Sequence, residues 1–78
     1  MRIDKYLKNT RLIKRRAVAN EMIKHNRVSV NGNAVKPSYE IKVADVVVIS
    51  YPMRTLQIRV LSEKEYVILK DSRTQDFS

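Results

Sequence analysis

The length, composition and charge of the chain limit what it can do. With 78 residues it has the size of one small domain whose core is only marginally sufficient, which argues against a large enclosed active site. It has no cysteine and one histidine, which excludes disulfides and a zinc site built from Cys or several His ligands. Of its net charge of +8, most lies in residues 1–27, which hold nine Lys or Arg and two acidic residues, whereas the other 51 hold seven and six.

This asymmetric charge is typical of proteins that bind nucleic acid, because cations that neutralise phosphates release condensed counterions. The alternative interpretation of this charge is an ordinary solvated basic surface without a nucleic-acid partner. No apolar run approaches the roughly 20 residues of a membrane span, and the opening MRIDKYLKN mixes charged and apolar residues where a signal peptide has an apolar core. We therefore expect a soluble, cytoplasmic protein with no membrane contact.

Two helices are predicted in the basic third. Ile3, Tyr6 and Leu7 have the i, i+3, i+4 spacing of an amphipathic helix over residues 3–9, with Asp4 favourably placed in the first turn. A second helix is expected from about residue 14 to about residue 24. It should stop at His25-Asn26, because Asn can adopt the left-handed conformation that ends helices.

The second helix has two distinct sides on a helical wheel. The side predicted to pack holds Val18, Ala19, Met22 and Ile23. The side able to hold an anion holds Arg16, Asn20 and Lys24 at i, i+4, i+8. The run from Lys14 to Arg16 opens the helix with positive charge, which opposes the macrodipole and therefore suggests an anionic partner.

Short strands are predicted in the rest of the chain. Val28–Val30 alternates apolar and polar residues and leads into Asn31-Gly32, the pair favoured by type I′ hairpin turns. A return strand over 34–36 should end at Pro37, and residues 39–43 should be irregular or briefly extended. Further strands are expected at 46–50, 54–61 and 66–69.

This order of elements predicts an α+β fold. Two N-terminal helices would pack on one side of a small antiparallel sheet of four to five strands. The alternation in the fourth expected strand places Leu56, Ile58 and Val60 on one face. We expect residues 1–71 to form the domain and residues 72–78 to form a polar tail.

No catalytic, metal or cofactor site is predicted. The only glycine is Gly32, so a glycine-rich phosphate loop is absent, and no Ser/His/Asp set has a recognisable spacing. The acidic residues are scattered and suit turns better than paired acid and base roles. His25 is better explained as a helix cap than as a base-stacking residue, and the tyrosines form no paired aromatic platform.

The candidate site is therefore a basic surface that should recognise the shape and the sugar-phosphate backbone of RNA more than stacked bases. Asp4 has two possible roles in it: favouring the helix N-terminus, or orienting Arg2 or Arg16 toward RNA. Asn31 at the hairpin could hydrogen-bond a sugar or a base edge. The predicted RNA-binding residues are Arg2, Asp4, Lys5, Lys8, Arg11, Lys14, Arg15, Arg16, Asn20, Lys24, Arg27 and Asn31. The cations expected to be merely solvated are Lys36, Lys42, Arg54 and Arg59.

The opening RIDKYL and the later ANEMIKHNRVSVNG resemble the RNA-binding domain first described in ribosomal protein S4. One departure is Asn26, where that family usually has glycine and where Asn tolerates the same backbone. The resemblance covers nearly the whole chain, so we expect no appended domain of the kind found in pseudouridine synthases or tyrosyl-tRNA synthetases. A stand-alone copy with RLIKRR at 11–16 and YVILK at 66–70 is similar to the small bacterial factors of ribosome-associated quality control.

The resemblance implies a specific role. It implies a monomer that binds the rRNA and tRNA of a large ribosomal subunit still blocked by peptidyl-tRNA, beside a partner protein that adds C-terminal alanine tails. The positions that it links to rRNA contact are Arg2, Asp4 and Arg16. Two alternatives stay open: a heat-shock or assembly factor that binds empty large subunits, and a helix-turn-helix that binds DNA, since the linker before the second helix is short.

Overall fold

Two helices precede five strands in the computed structural model, which describes residues 1–73. The helices are α1 (Ile3–Asn9) and α2 (Arg16–Lys24), and the strands are β1 (Val28–Val30), β2 (Asn33–Ala34), β3 (Val46–Tyr51), β4 (Arg54–Val60) and β5 (Tyr66–Arg73). The strands form one antiparallel sheet in the order β2-β1-β3-β4-β5. The predicted α+β class is confirmed.

One core lies between the helices and a single face of the sheet. Leu56, Ile58 and Val60 of β4 are at most 2% exposed, which confirms that they share the inner face, as the alternation of a strand requires. Ile3 and Leu7 of α1 are fully buried against them. The basic part of the chain is therefore anchored by its apolar residues, and its Lys and Arg side chains lie at the surface.

Helix α1 has the predicted bounds, whereas α2 begins at Arg16 and not at Lys14. The α1–α2 connection turns back at Arg11, which has a φ of 63°, and Ile13 then donates its N–H to the Leu7 carbonyl at 3.0 Å. This turn buries Ile13 in the core. Arg15 consequently has extended backbone (φ −125°, ψ 137°) and occupies the N-cap position of α2 without a side-chain hydrogen bond to the helix.

The predicted packing side of α2 is only partly correct. Ala19 and Ile23 are fully buried, and Met22 packs partly against the core, but Val18 is 46% exposed. The helix therefore buries a stripe centred on Ala19 and Ile23, and this stripe is narrower than the apolar arc of its wheel.

The end of α2 follows the predicted stop signal. Asn26 has a φ of 59°, and Arg27 donates its N–H to the Met22 carbonyl at 2.9 Å, while Asn26 donates to Ile23 at 3.1 Å. These two bonds form a Schellman motif. His25 is the C-cap residue, and its Nδ1 lies 2.8 Å from the carbonyl oxygen of Glu21.

The hairpin turn is also as predicted, but its return strand is shorter. Asn31 and Gly32 have φ values of 51° and 85°, as a type I′ turn requires. Strand β2 then ends at Ala34 because the chain leaves the sheet toward α1. There the Pro37 carbonyl accepts the N–H of Asp4 at 3.3 Å.

Strand β5 continues to Arg73, past the predicted end at residue 69 and two residues into the expected tail. Its pairing with β4 reaches Arg54, whose Nε and Nη2 donate to the two carboxylate oxygens of Asp71 at 2.9 and 2.8 Å. Arg54 is thus ion-paired, contrary to the expectation that it would be merely solvated. Residues 74–78 of the expected tail lie outside the described residues.

Candidate nucleic-acid interface

The carboxylate of Asp4 is the centre of a hydrogen-bond network that joins the two helices. Its residue is fully buried in the first turn of α1, next to the start of α2. Asn20 donates Nδ2–H to Oδ2 at 3.1 Å, and Arg16 donates Nε–H to the same oxygen at 3.2 Å. Arg2 donates from Nε to Oδ1 at 3.2 Å and from Nη2 to Oδ2 at 3.1 Å. We call Arg2, Asp4, Arg16 and Asn20 the Asp4 network.

The network keeps Asp4 ionised in spite of its burial. Desolvation alone would raise the pKa of this carboxyl, but hydrogen bonds from Asn20, Arg2, the backbone N–H of Lys5 and Arg16 outweigh it. The net effect is a pKa below the ordinary value of 3.8. The negative charge that holds the two arginines is therefore present at neutral pH.

Both arginines are held by one edge and are half-exposed. Their side chains retain 45% (Arg2) and 49% (Arg16) of their accessible surface. Among the described residues, Arg16 uses only Nε for this contact, so its two Nη groups have no protein partner. A guanidinium held in this way is oriented before any ligand arrives and can still bind a phosphate through two parallel N–H groups. Both roles considered for Asp4 have a basis in the structure, since its Oδ1 accepts the backbone N–H of Lys5 at 2.7 Å in the first turn of α1 and its carboxylate also orients Arg2 and Arg16. An RNA contact by these arginines stays a prediction.

The cations from Lys5 to Arg15 line three depressions near α1. Lys5 lines a shallow depression together with Arg2 and Glu63. A second cleft, at the end of α1, is lined by Lys8, Asn9, Arg11, Lys14 and Lys64. Arg15 borders a third, more apolar depression next to Arg11 and Lys14, over Leu12, Val18 and Tyr51. The predicted residues from Arg2 to Arg16 thus surround α1 and the start of α2.

Comparison with known proteins identifies this architecture. Residues 1–47, which contain both helices and the hairpin, match the model of the S4 domain. The chain belongs to the S4-domain family.

Its relatives carry one functional name, "RQC P-site tRNA stabilizing factor". The protein of that name from Listeria innocua is 44% identical, with 97% of this chain and 94% of the relative covered. Those of Streptococcus pneumoniae and Bacillus subtilis are 38% and 35% identical, with 97% and 94% of this chain and 98% and 96% of the relatives covered. The fold is similar to that of trimeric Vibrio cholerae Heat Shock Protein 15, with a TM-score of 0.81 and 23% identity over 87% of this chain and 80% of the other.

Two of the predicted cations, Lys24 and Arg27, lie away from the Asp4 network. Lys24 is exposed at the far end of α2, two turns beyond Arg16 and about 12 Å along the helix. Arg27 borders a depression with Val18, Met22 and Pro52. These two cations stay predictions as RNA contacts, and the network itself does not hold them in place.

The side chain of Asn31 is occupied within the domain. Its Nδ2 donates to Asp45 at 3.1 Å, and its Oδ1 accepts the N–H of Val46 at 2.9 Å. These bonds connect the hairpin turn to the start of β3. The structure therefore gives Asn31 a role in holding the hairpin. These bonds use one of its two Nδ2–H donors, so the predicted RNA contact of Asn31 stays a prediction.

One cation on this surface was missed by the sequence analysis. Lys64 belongs to the turn between β4 and β5, yet it lines the same cleft as Lys8. Nothing in its local sequence indicates this, since Glu63 and Glu65 flank it as in an ordinary polar turn.

No helix within residues 1–73 is long and apolar enough to cross a membrane.

Proposed function

We propose that this protein is a non-catalytic RNA-binding factor of ribosome-associated quality control. It binds rRNA and tRNA on obstructed large ribosomal subunits that carry peptidyl-tRNA, and it supports C-terminal alanine tailing by a partner protein on the same subunit. Such a role would place it in the bacterial cytoplasm. The observation that carries the proposal is the Asp4 network, which presents two oriented arginines at the most basic part of the domain.

The geometry supports RNA backbone as the ligand. An arginine whose Nε edge is fixed loses less rotamer entropy on binding, and its remaining N–H groups match the spacing of phosphate oxygens. The buried carboxylate contributes no net repulsion toward a phosphate, since two guanidinium groups outweigh its single charge. The name shared by the relatives supports the P-site tRNA as part of the ligand.

The proposal is tested with Arg16→Ala and purified bacterial large subunits, either carrying peptidyl-tRNA or empty. We expect the wild-type protein to prefer the obstructed subunits, and the variant to bind them about fivefold to tenfold more weakly at 0.1 M salt, since one phosphate contact is lost. Arg16→Lys should recover only part of the affinity, because Lys lacks the forked N–H groups.

The matched control is Arg59→Ala, because Arg59 is also an exposed arginine but lies in β4 on the face opposite the core. Its affinity should equal that of the wild type. Circular dichroism of each variant shows whether the fold is kept. Equal binding to empty and obstructed subunits would reject the quality-control role in favour of a recycling or assembly factor, and wild-type affinity in Arg16→Ala would remove Arg16 from the interface.

A further inference from the structure

The cleft at the end of α1 brings together cations that are distant in sequence. It is lined by Lys8 and Asn9 of α1, Arg11 and Lys14 of the α1–α2 connection, and Lys64 of the β4–β5 turn. Its volume is about 750 Å³, and its lining contains four cations, one amide and no carboxylate. We call these five residues the Lys64 cleft. None of them takes part in the Asp4 network.

Lys64 is placed in the cleft by a turn that is tied to α1. The carbonyl oxygen of Glu65 accepts the hydroxyl of Tyr6 at 2.8 Å and the N–H of Leu61 at 3.0 Å. Tyr6 is 1% exposed, and burial raises the pKa of its hydroxyl to about 12, so this hydroxyl remains a donor at neutral pH. The turn therefore cannot move away from α1 without breaking a buried contact.

The acidic neighbours of Lys64 do not neutralise it. The carboxylate of Glu65 accepts the hydroxyl of Ser62 at 3.0 Å, and Glu63 lines the other depression, beside Arg2 and Lys5. Among residues 1–73, the four cations of the cleft form no ion pair. Like charges collected in one cleft repel each other, and a bound anion would relieve that repulsion.

The helix dipole explains why a cation occurs at Lys8, but local structure does not explain why one occurs at Arg11. Lys8 lies in the last turn of α1, where a cation complements the helix dipole. Arg11 follows the C-cap residue Thr10 and has a φ of 63°, a conformation that glycine adopts freely and arginine adopts at a cost. The side chain of Arg11 must therefore supply something that glycine cannot, and in this cleft that is positive charge.

We propose that the Lys64 cleft binds a further stretch of RNA backbone, with Lys64 and Arg11 contacting phosphates. The ligand class is phosphodiester because the lining offers several cations and no platform for stacking a base. This inference rests on the proposed function and extends its interface from the helices to the β4–β5 turn.

The test uses Arg11→Gly and Lys64→Ala, titrated over a salt series against obstructed large subunits and, separately, against unfractionated tRNA. Each variant should bind both probes about fivefold to tenfold more weakly at 0.1 M salt, and each should reduce the log-log salt slope by about 1. Arg11→Gly should at the same time raise the melting temperature by about 3 to 6 °C, because glycine relieves the backbone strain. Weaker binding by a more stable protein cannot be attributed to unfolding.

The matched control is Lys70→Ala, because Lys70 is exposed on β5 opposite Gln57, on the face away from the core. Wild-type affinity and slope in either Arg11→Gly or Lys64→Ala would overturn the proposed cleft. If the wild-type protein does not prefer obstructed subunits but its binding to tRNA still depends on Arg11 and Lys64, the proposed function fails and the cleft stands.

Discussion

Burial of a carboxylate normally destabilises a small domain, and Asp4 shows how donors can reverse that effect. Five hydrogen bonds reach its two oxygens, four from side chains and one from the N–H of Lys5 at 2.7 Å. A hydrogen bond to a charged group contributes a net stabilisation of about 1.5 to 3 kcal/mol. The same bonds orient Arg2 and Arg16, so at this residue the stability of the fold and the proposed RNA contact depend on one charge.

We expect Asp4→Asn to lower the free energy of unfolding by about 2 to 3 kcal/mol at pH 7, because an amide presents N–H groups to donors and leaves them unpaired. Since the folded pKa of Asp4 is below 3.8, its stabilising contribution is complete above that value and is lost as the pH falls through the folded pKa. The difference between the two proteins should therefore shrink in acid. Urea unfolding at several pH values measures it.

The control for that series is Asp71→Asn. The hydrogen bond from Arg54 also holds the pKa of Asp71 below its ordinary value, but this carboxylate is at the surface, so its replacement should cost much less. A loss for Asp4→Asn that stays constant from neutral pH to about pH 2 would contradict the ionised network.

At the scale of elements, the connections between helices and strands depend on a few residues with positive φ. The described residues other than glycine in this region are Arg11, Asn26, Asn31 and Ala44. Arg11 ends α1, and Asn26 ends α2 and directs the chain into β1. Both helices thus end at a residue with left-handed backbone. This conformation costs an arginine more free energy than it costs an asparagine.

We expect Asn26→Gly to leave the free energy of unfolding within about 0.5 kcal/mol of the wild type, since both residues tolerate the left-handed region. Asn26→Ala should lower it by about 1 kcal/mol, because Ala keeps the Cβ that the left-handed region disfavours but loses the short polar side chain with which Asn offsets that penalty. Chemical denaturation measures both. Asn33→Ala, at an exposed position of β2, serves as the control and should change little. Equal stability of the Gly and Ala variants would show that α2 does not depend on this turn.

At the scale of the whole molecule, the fold separates charge from packing. The sheet and the inner sides of the helices supply the core, while the excess charge of residues 1–27 lies on exposed Lys and Arg side chains of the helices and the segments next to them. Strand β4 is an inner strand of the sheet on which the helices pack, since β3 and β5 pair with it on either side. The proposed interface is therefore the outer surface of α1 and α2, whose inner sides pack on the sheet.

We expect binding to obstructed large subunits to be steeply salt-dependent, with a log-log slope of roughly −4 if about five phosphates are contacted. The dissociation constant at several salt concentrations gives this slope. Arg59→Ala should leave this slope unchanged, because Arg59 lies outside the proposed interface. A slope near zero would mean that recognition does not use the basic end of the chain.

Several features of the fold were predictable because they depend on neighbouring residues. The spacing of Ile3, Tyr6 and Leu7 specifies one buried side of a helix, and Asn31-Gly32 specifies a turn with two positive φ values. The alternation in β4 separates its inner and outer faces. Helix periodicity, strand alternation and turn preferences are local properties, and a resemblance to the S4 domain adds to them.

Which residues meet at the proposed interface was only partly predictable, because its contacts join distant parts of the chain. The partners of Asp4 lie 12 and 16 residues away, and the sequence alone left its role open. Val18 has the pattern of a core residue but is exposed, since the packing angle of α2 decides which side is covered. Lys64 reaches the cleft on a turn whose Glu65 carbonyl accepts the Tyr6 hydroxyl, a contact across 59 residues. Local chemistry thus determines the elements and the charge of the basic end, while tertiary packing decides which charges meet.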